Sequence, residues 1–340
     1  MGSSSAFRFD AAMSDGFDDI RAAVKRRFGD KAEIANVVVP TLGGVNRTVL
    51  FDLIDGSATR RLVSRQETYS AEDSPFLPAA QQFRVMKVAF AEGVPVPEPV
   101  FEYDANDAMG SGFVTAFIDG ETMPQRIFRG AAPEARLKIA TDLARLLARL
   151  HAIDVAKVPF LEVVPDSIDV IGNYLRLFDS YAEAHPAIEL GFRWLERNRP
   201  SAGRRCLVHG DFRTGNFMVG PDGVRAALDW ECAHIGQAME DFGWLCVRSW
   251  RFGQIDLPVG GFAPRAPVYA AYEAAGGERV DPQTVRFWEI FGLVRWAIYN
   301  VMQAYAHVER GRRGVAFAAM GRNTSLVEYE LLMTLAGHYS

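Results

Sequence analysis

One stretch constrains this chain more than any other: residues 206–230, CLVHGDFRTGNFMVGPDGVRAALDW. A short apolar run ends in His209-Gly210-Asp211, and Asn216 follows five residues after Asp211. Phe217-Met218-Val219 leads into the turn formers Gly220-Pro221-Asp222-Gly223, and a second apolar run from Val224 to Leu228 ends in Asp229. Two apolar runs around four turn residues read as a β-hairpin. With Val219 opposite Val224, Asn216 faces Ala227. Asp229 then lies two residues beyond, roughly 7–8 Å away on the same face. That separation lets Asn216 and Asp229 ligate one metal ion or two adjacent ones, with Asp211 beside them in the loop that feeds the hairpin. An amide oxygen and carboxylates suit Mg²⁺, which takes oxygen ligands and keeps waters or substrate phosphates. In phosphoryl transfer one carboxylate orients or deprotonates the attacking hydroxyl, while an amide and a second carboxylate hold the metal on the phosphates. Asp211 is therefore assigned as base, and Asn216 and Asp229 as metal ligands.

The rest of the chain divides into two characters. The first third alternates short β-rich runs with turns: a helix from Phe17 to Phe28, then Ile34 to Leu42, the glycine turn Gly43-Gly44-Val45-Asn46-Arg47, Thr48 to Ile54, and Arg61 to Gln66. Strand, turn, strand, turn, strand is an antiparallel meander. Phe76 to Glu92 suits a helix ended by Gly93, and the Pro95, Pro97, Pro99 alternation must be extended. Apolar runs near Val100 to Tyr103 and Gly112 to Ile118 follow. After a short connection at Ala116 to Gly120 the pattern turns helical, first in Glu134 to His151, where Leu137, Ala140, Leu143, Leu147 and Leu150 form one apolar stripe. Further helices are expected at Asp169 to Ala184, Ala187 to Asn198, Pro267 to Ala275, Pro282 to Val308 and Thr324 to His338. The expected class is α+β, with a small antiparallel β-rich lobe over residues 1–118 and a larger, mainly helical lobe over 119–340.

These motifs resemble those of the aminoglycoside phosphotransferase and choline kinase families, relatives of the protein kinases. HGDFRTGN and the later Asp229 resemble the catalytic motif, and GGVNRTVLFDL the glycine turn between the first two strands. GVPVPEPV is similar to the segment after the first-lobe helix, and SGFVTAFIDG to the strand entering the interlobe hinge. LDWECAHIGQAMEDFGWLCVRSWRFG is similar to the metal strand and its following helix, and to phosphotransferase-like domains fused to acyl-CoA dehydrogenases. The resemblance implies a bilobal, protein kinase-like fold that binds ATP or GTP with Mg²⁺ between its lobes and phosphorylates a hydroxyl of a small molecule.

It also assigns roles position by position. Gly43, Gly44 and Asn46 belong to the turn over the phosphates, and Arg65 stands where the kinases carry a phosphate-pairing lysine. The backbone of Ala116, Phe117 and Ile118 would meet the purine, and Arg213 would neutralise charge on the transferring phosphate. His209 is expected to be a buried, hydrogen-bonded support, and Asp241 to brace the catalytic loop. Gln82 departs from the pattern, because it stands where a helix glutamate should pair with the basic residue; either Glu67, Glu92 or Asp73 substitutes, or Arg65 is held by hydrogen bonds alone. That departure is the sole support for the alternative of a nucleotide-binding pseudokinase with a regulatory role. A metal-dependent hydrolase using the same carboxylates would need neither the glycine turn nor Arg65.

Composition narrows the acceptor and partners. A net charge of −5 with no basic face gives no reason to expect a nucleic-acid partner. Cys206, Cys232 and Cys246 have neither metal-ligand spacing nor a disulfide count, which fits a reduced cytoplasmic setting. The most apolar stretch, Phe287 to Val308, is interrupted by Glu289, Arg295 and Asn300 and reads as a core helix rather than a membrane span. From Gln237 onward ten Asp or Glu are balanced by ten Arg, which does not favour a polycationic acceptor. Trp244, Arg248, Trp250 and Arg251 are expected near the acceptor mouth, where Arg248 and Arg251 would suit an anionic or hydroxyacyl substrate.

Overall fold

The computed structural model describes residues 17–40, 46–67, 76–107, 109–161, 167–311 and 314–339. Gly43, Gly44 and Asp73 lie outside the described residues. The chain forms two compact units, one from residues up to Phe83 together with Glu98–Phe117, the other from Arg84–Pro97 and Ile118 onward.

The first unit is the expected meander. Helix α1 (Asp18–Phe28) precedes strands β1 (Glu33–Val38), β2 (Arg47–Asp55) and β3 (Ala58–Gln66), and β4 (Pro99–Glu102) and β5 (Gly112–Ala116) complete an antiparallel sheet of order β1-β2-β3-β5-β4. Val49, Phe51 and Leu53 alternate inward from β2 and pack with Ile20 and Val24 of α1, so the period-2 pattern read from the sequence becomes one face of the core. Asp107, buried near the β4–β5 turn, collects Arg26 and Arg27 from α1 and the backbone N–H of Asp104. Helix α2 (Ala79–Ala91) begins in this unit; its first N–H, that of Ala79, donates to Glu67 Oε1 at 2.6 Å.

The second unit is mainly helical. It contains α3 (Pro124–Phe128), α4 (Pro133–His151), α5 (Ser167–Asp179), α6 (Pro186–Arg197), strands β6 (Arg205–Val208), β7 (Phe217–Gly220), β8 (Gly223–Ala227) and β9 (His234–Gln237), then α7 (Ala238–Cys246), α8 (Arg265–Ala274), α9 (Pro282–Val308) and α10 (Val315–Leu335). The α4 stripe holds from Ala140 to Leu150, whose side chains are buried, whereas Leu137 in the first turn is 40% exposed. Each fully buried leucine contributes roughly 1.5–3 kcal/mol. Helix α10 begins nine residues before the expected Thr324, because Gly321 is a packing residue and not a break: a Cβ there would meet Ala304 Cβ at 2.8 Å. Among the described residues no helix is long and apolar enough to cross a membrane.

Helix α7 is buried along its whole length, Glu240 and Asp241 included, and packs on α9. The close approach is made at Gly243, where an added Cβ would sit 2.4 Å from the carbonyl carbon of Trp288. Gly243→Ala should therefore cost about 1–3 kcal/mol through overpacking, read as a lower denaturation midpoint with unchanged slope. An unshifted midpoint would mean that the two helices separate without penalty.

Candidate active site

The loop between β6 and β7 carries the motif, and its shape is set by groups that must be satisfied away from water. Gly210 has φ +75°, and a Cβ there would lie 2.1 Å from the Cys232 carbonyl oxygen, so glycine alone fits. The backbone N–H groups of His209 and Gly210 both donate to Asp241, at 2.9 Å each. His151 Nε2 is 3.1 Å from the same carboxylate, and its Nδ1 is 2.9 Å from the Tyr272 hydroxyl. Asp241 thus braces the loop, as the sequence reading expected. His209 also behaves as expected: its Nε2 donates to the Leu228 carbonyl at 2.9 Å, its Nδ1 faces the Asp211 N–H at 3.3 Å, and burial pushes its pKa down. Thr214 Oγ1 ties the far side of the loop to the Gly260 carbonyl at 2.7 Å.

Asp211 projects from this frame with its carboxylate held by three donors. Oδ1 accepts from Trp244 Nε1 at 2.8 Å and from Arg213 Nε at 3.1 Å, and Oδ2 accepts from Asn216 Nδ2 at 2.6 Å. Arg213 is therefore salt-bridged within the loop, its Nη1 3.3 Å from the Thr214 carbonyl and its guanidinium 4.7 Å over the ring of Trp250.

The hairpin forms with Val219 opposite Val224, but a bulge between Met218 and Val219 shifts the register beyond it. Phe217, not Asn216, faces Ala227, and Asn216 instead accepts the Leu228 N–H at 2.8 Å. The expected same-face geometry is thereby corrected. Strand alternation does not carry Asp229 onto the face of Asn216; a left-handed backbone at Asp229, φ 61° and ψ 68°, redirects it after the strand ends. Such a conformation costs a non-glycine residue on the order of 1–3 kcal/mol and clusters at functional positions. Burial and the nearby Asp211 charge push the Cys232 thiol well up, against the opposing charge of Arg295.

These residues fit a Mg²⁺ ion. Asn216 spends its Nδ2 on the carbonyl and Oδ2 of Asp211, so its remaining polar atom is an amide oxygen, and Asp229 is the carboxylate that would join it. Hard oxygen ligands in small number are what Mg²⁺ takes from protein. Among the described residues no three His, Cys, Asp or Glu side chains converge as a self-sufficient metal centre.

The residues of the first unit are placed as follows. Asn46, with its amide oxygen turned toward Arg65, accepts from Nη2 at 3.2 Å and Nε at 3.3 Å. Gln82 is buried and donates to the Leu77 carbonyl at 2.7 Å, while Glu67 is engaged by Ala79. Glu92, in the second unit, pairs with Lys157. The Ala116 and Phe117 N–H groups donate to the carbonyls of Glu98 and Arg61, so a purine would have to use other backbone groups of this segment. Two further expectations are revised. Arg251 is 2% exposed and neutralised by Glu289 at 3.1 Å, and Arg248 lies 3.9 Å from Glu330, so neither forms the expected cationic mouth with Trp244. The partner of Trp244 is Arg295 from α9, whose guanidinium lies 4.0 Å over its ring and whose Nη2 donates to the Gly210 carbonyl at 2.7 Å. Arg295 is one of the polar residues that interrupt the apolar run from Phe287 to Val308, but nothing local marks its meeting with Trp244.

Residues 41–288 match the family model described as phosphotransferase enzyme family. The curated relatives include the probable acyl-CoA dehydrogenase IBR3 of Arabidopsis thaliana, 28% identical over 87% of this chain and 39% of that protein. Acyl-CoA dehydrogenase family member 11 of Rattus norvegicus is 32% identical over 49% of this chain and 22% of that protein. The chain thus spans well under half the length of the curated relatives it matches. Among solved structures, an aminoglycoside phosphotransferase-like protein of Ralstonia eutropha JMP134 superposes with a TM-score of 0.72 at 21% identity, covering 96% of this chain and 98% of its own. A spectinomycin phosphotransferase crystallised with ADP and spectinomycin reaches 0.63 at 12% identity over 93% and 98%.

Asp241 provides a pH test. Burial raises its pKa, but the hydrogen bond and charge of His151 and the contacts with His209 outweigh it and hold the carboxyl below its ordinary value. A carboxyl that titrates lower when folded stabilises above its unfolded pKa, and the contribution fades as pH falls through the folded value. Asp241→Asn should cost about 3 kcal/mol at neutral pH, and the difference from the parent should shrink below about pH 4. A difference that stays constant across that range in chemical denaturation would show that Asp241 is not the ionised brace. With its matched family, its kinase-like α+β fold and the loop just described, this chain belongs to the phosphotransferase enzyme family.

Proposed function

We infer that the chain transfers the γ-phosphoryl group of ATP or GTP to a hydroxyl of a small molecule, with Asp211 as the base. The observation that carries this reading is the Asp211 carboxylate held by Trp244, Arg213 and Asn216 at the mouth of the braced loop. The acceptor oxygen attacks the γ-phosphorus as the bond from that phosphorus to the bridging oxygen breaks. The diphosphate leaves, and the hydroxyl proton passes to Asp211. By the family resemblance Arg213 steadies the transferring phosphate, and Gly43, Gly44, Asn46, Arg65 and Ala116 to Ile118 are the residues assigned to the nucleotide. Mg²⁺ held by Asn216 and Asp229 would offset the charge of the phosphates when bound. Catalysis then rests on positioning and charge stabilisation.

For the acceptor, the surroundings of Asp211 are aromatic and cationic. Trp244, Trp250 and Trp296 pack together with centroids 5.0–6.5 Å apart, Arg213 lies over Trp250, and Arg295 lies over Trp244. Surroundings of this charge disfavour a polycation and suit a neutral or anionic hydroxylated metabolite, a hydroxyacyl compound among them. Gln82, whose amide is spent on Leu77, is the observation that favours the pseudokinase alternative.

One experiment separates these readings. Purified protein with ATP and Mg²⁺ should phosphorylate hydroxy acids or their thioesters and spare aminoglycosides, and Asp211→Ala should cut turnover about 10²-fold or more. Phosphorylation of aminoglycosides alone would overturn the acceptor class. Unchanged turnover in the variant would remove Asp211 from its role, and no transfer to any acceptor would support the pseudokinase.

A further inference from the structure

The groups that hold Asp211 do not end with the motif. Trp244 projects from α7, thirty-three residues after Asp211 in the chain, and its indole N–H reaches Asp211 Oδ1 at 2.8 Å, while the residue is only 3% exposed. An indole can donate but never accept, so this contact needs an acceptor in that place, and the carboxylate supplies it. Over the ring stands Arg295, 5% exposed, its guanidinium 4.0 Å from the ring centroid. A buried cation on the indole face draws electron density from the ring and strengthens its N–H as a donor. The same guanidinium donates through Nη2 to the carbonyl of Gly210, the residue immediately before Asp211, at 2.7 Å. Its remaining contacts anchor it: Nη1 lies 3.7 Å from Glu240, itself held by His234 at 3.1 Å.

Arg295 therefore touches both things that fix the base. It holds the peptide that carries Asp211 and the ring that aims its carboxylate. Gly292, one turn earlier on α9, lets the two helices close on this contact, since a Cβ there would meet Trp244 Cε3 at 3.0 Å. Asn216 binds the other carboxylate oxygen, so the carboxylate is held at both ends and cannot rotate about its own axis. Arg213 contributes as well, from within the same loop.

We propose that Trp244 and Arg295 form a two-residue clamp that positions Asp211 for proton transfer, with Trp244 acting through its indole N–H. Both are positioning residues and neither touches the reacting atoms. The proposal rests on Asp211 serving as the base of the phosphotransfer reaction. A clamp of this kind changes the chemical step and leaves nucleotide affinity alone, because it contacts neither phosphate nor purine.

The test replaces Trp244 by Phe, which keeps an aromatic ring, and by 3-benzothienylalanine introduced at the single codon, which keeps the bicyclic shape and lacks only the N–H. Both variants should lower kcat by about tenfold to a hundredfold with the KM for nucleotide unchanged. Neither should lower activity further in an Asp211→Asn background, because residues that act as one unit are not additive. Full kcat in the benzothienyl variant would overturn the proposal and leave Trp244 a packing residue, as would a loss that multiplies with that of Asp211→Asn. A second measurement reads the bond without turnover. In the ¹H–¹⁵N spectrum of the unliganded protein, the indole resonance that disappears in Trp244→Phe should shift when Asp211 becomes Asn and when Arg295 becomes Lys. An indole signal indifferent to both would show that the clamp is not formed. A shifted signal with no transfer to any acceptor would uphold the clamp and place the failure in the phosphotransfer reading.

Discussion

Two backbone N–H groups at a sharp turn, those of His209 and Gly210, point inward where water cannot reach them. An unsatisfied buried donor costs about 1–3 kcal/mol, so the turn exists only because the carboxylate of Asp241 receives both. Everything at the site inherits from that contact. With the turn fixed, Gly210 can pass over the Cys232 carbonyl, Asp211 can emerge with three donors on its carboxylate, and Asn216 can enter the hairpin. Asp241 is kept ionised in turn by His151 from α4, whose other nitrogen meets Tyr272 of α8. Three helices and a loop are thereby tied to one carboxylate.

The second layer is helix α7 against α9. A fully buried helix carrying Glu240 and Asp241 is expensive unless each charge is met, and each is: Asp241 by the loop and His151, Glu240 by His234 and Arg295. Burial works against the His234 imidazolium, yet the charge and hydrogen bond of Glu240 win and hold its pKa up. The close packing at Gly243 brings Arg295 within reach of the loop, so an interhelical distance in the core sets the geometry of a surface-facing carboxylate.

Much of this was legible in the sequence, for reasons that differ by residue. The motif residues declared themselves by the types and spacing of Asp211, Asn216 and Asp229, and Gly220-Pro221-Asp222-Gly223 has no good alternative to a turn. Asp241 was readable as a brace through the resemblance to the phosphotransferase family. The bulge at Met218 was not readable, since nothing in a run of apolar residues marks a one-residue slip, and the slip moved Asn216 from opposite Ala227 to opposite Leu228. Strand β9, His234–Gln237, was hidden because four residues carry too little periodicity to stand apart from the helix that follows. Arg251 was misplaced because an arginine beside a tryptophan reads as a surface pair, while its actual partner, Glu289, lies on a helix thirty-eight residues later. Trp244 and Arg295 share that difficulty: their meeting is a property of α7 packed on α9 and has no local signature.

The account stands on Asn216 and Asp229 holding Mg²⁺ against a nucleotide beside Asp211. Its most direct test is thermal melting with and without ATP and Mg²⁺, for the parent and for Asp229→Ala. A ligand that binds only the folded state adds about 2.7 kcal/mol at a hundredfold excess over its dissociation constant. The account expects a rise in Tm that needs Mg²⁺ and is lost in the variant. An equal rise in both proteins, or none with either ATP or GTP, would contradict it.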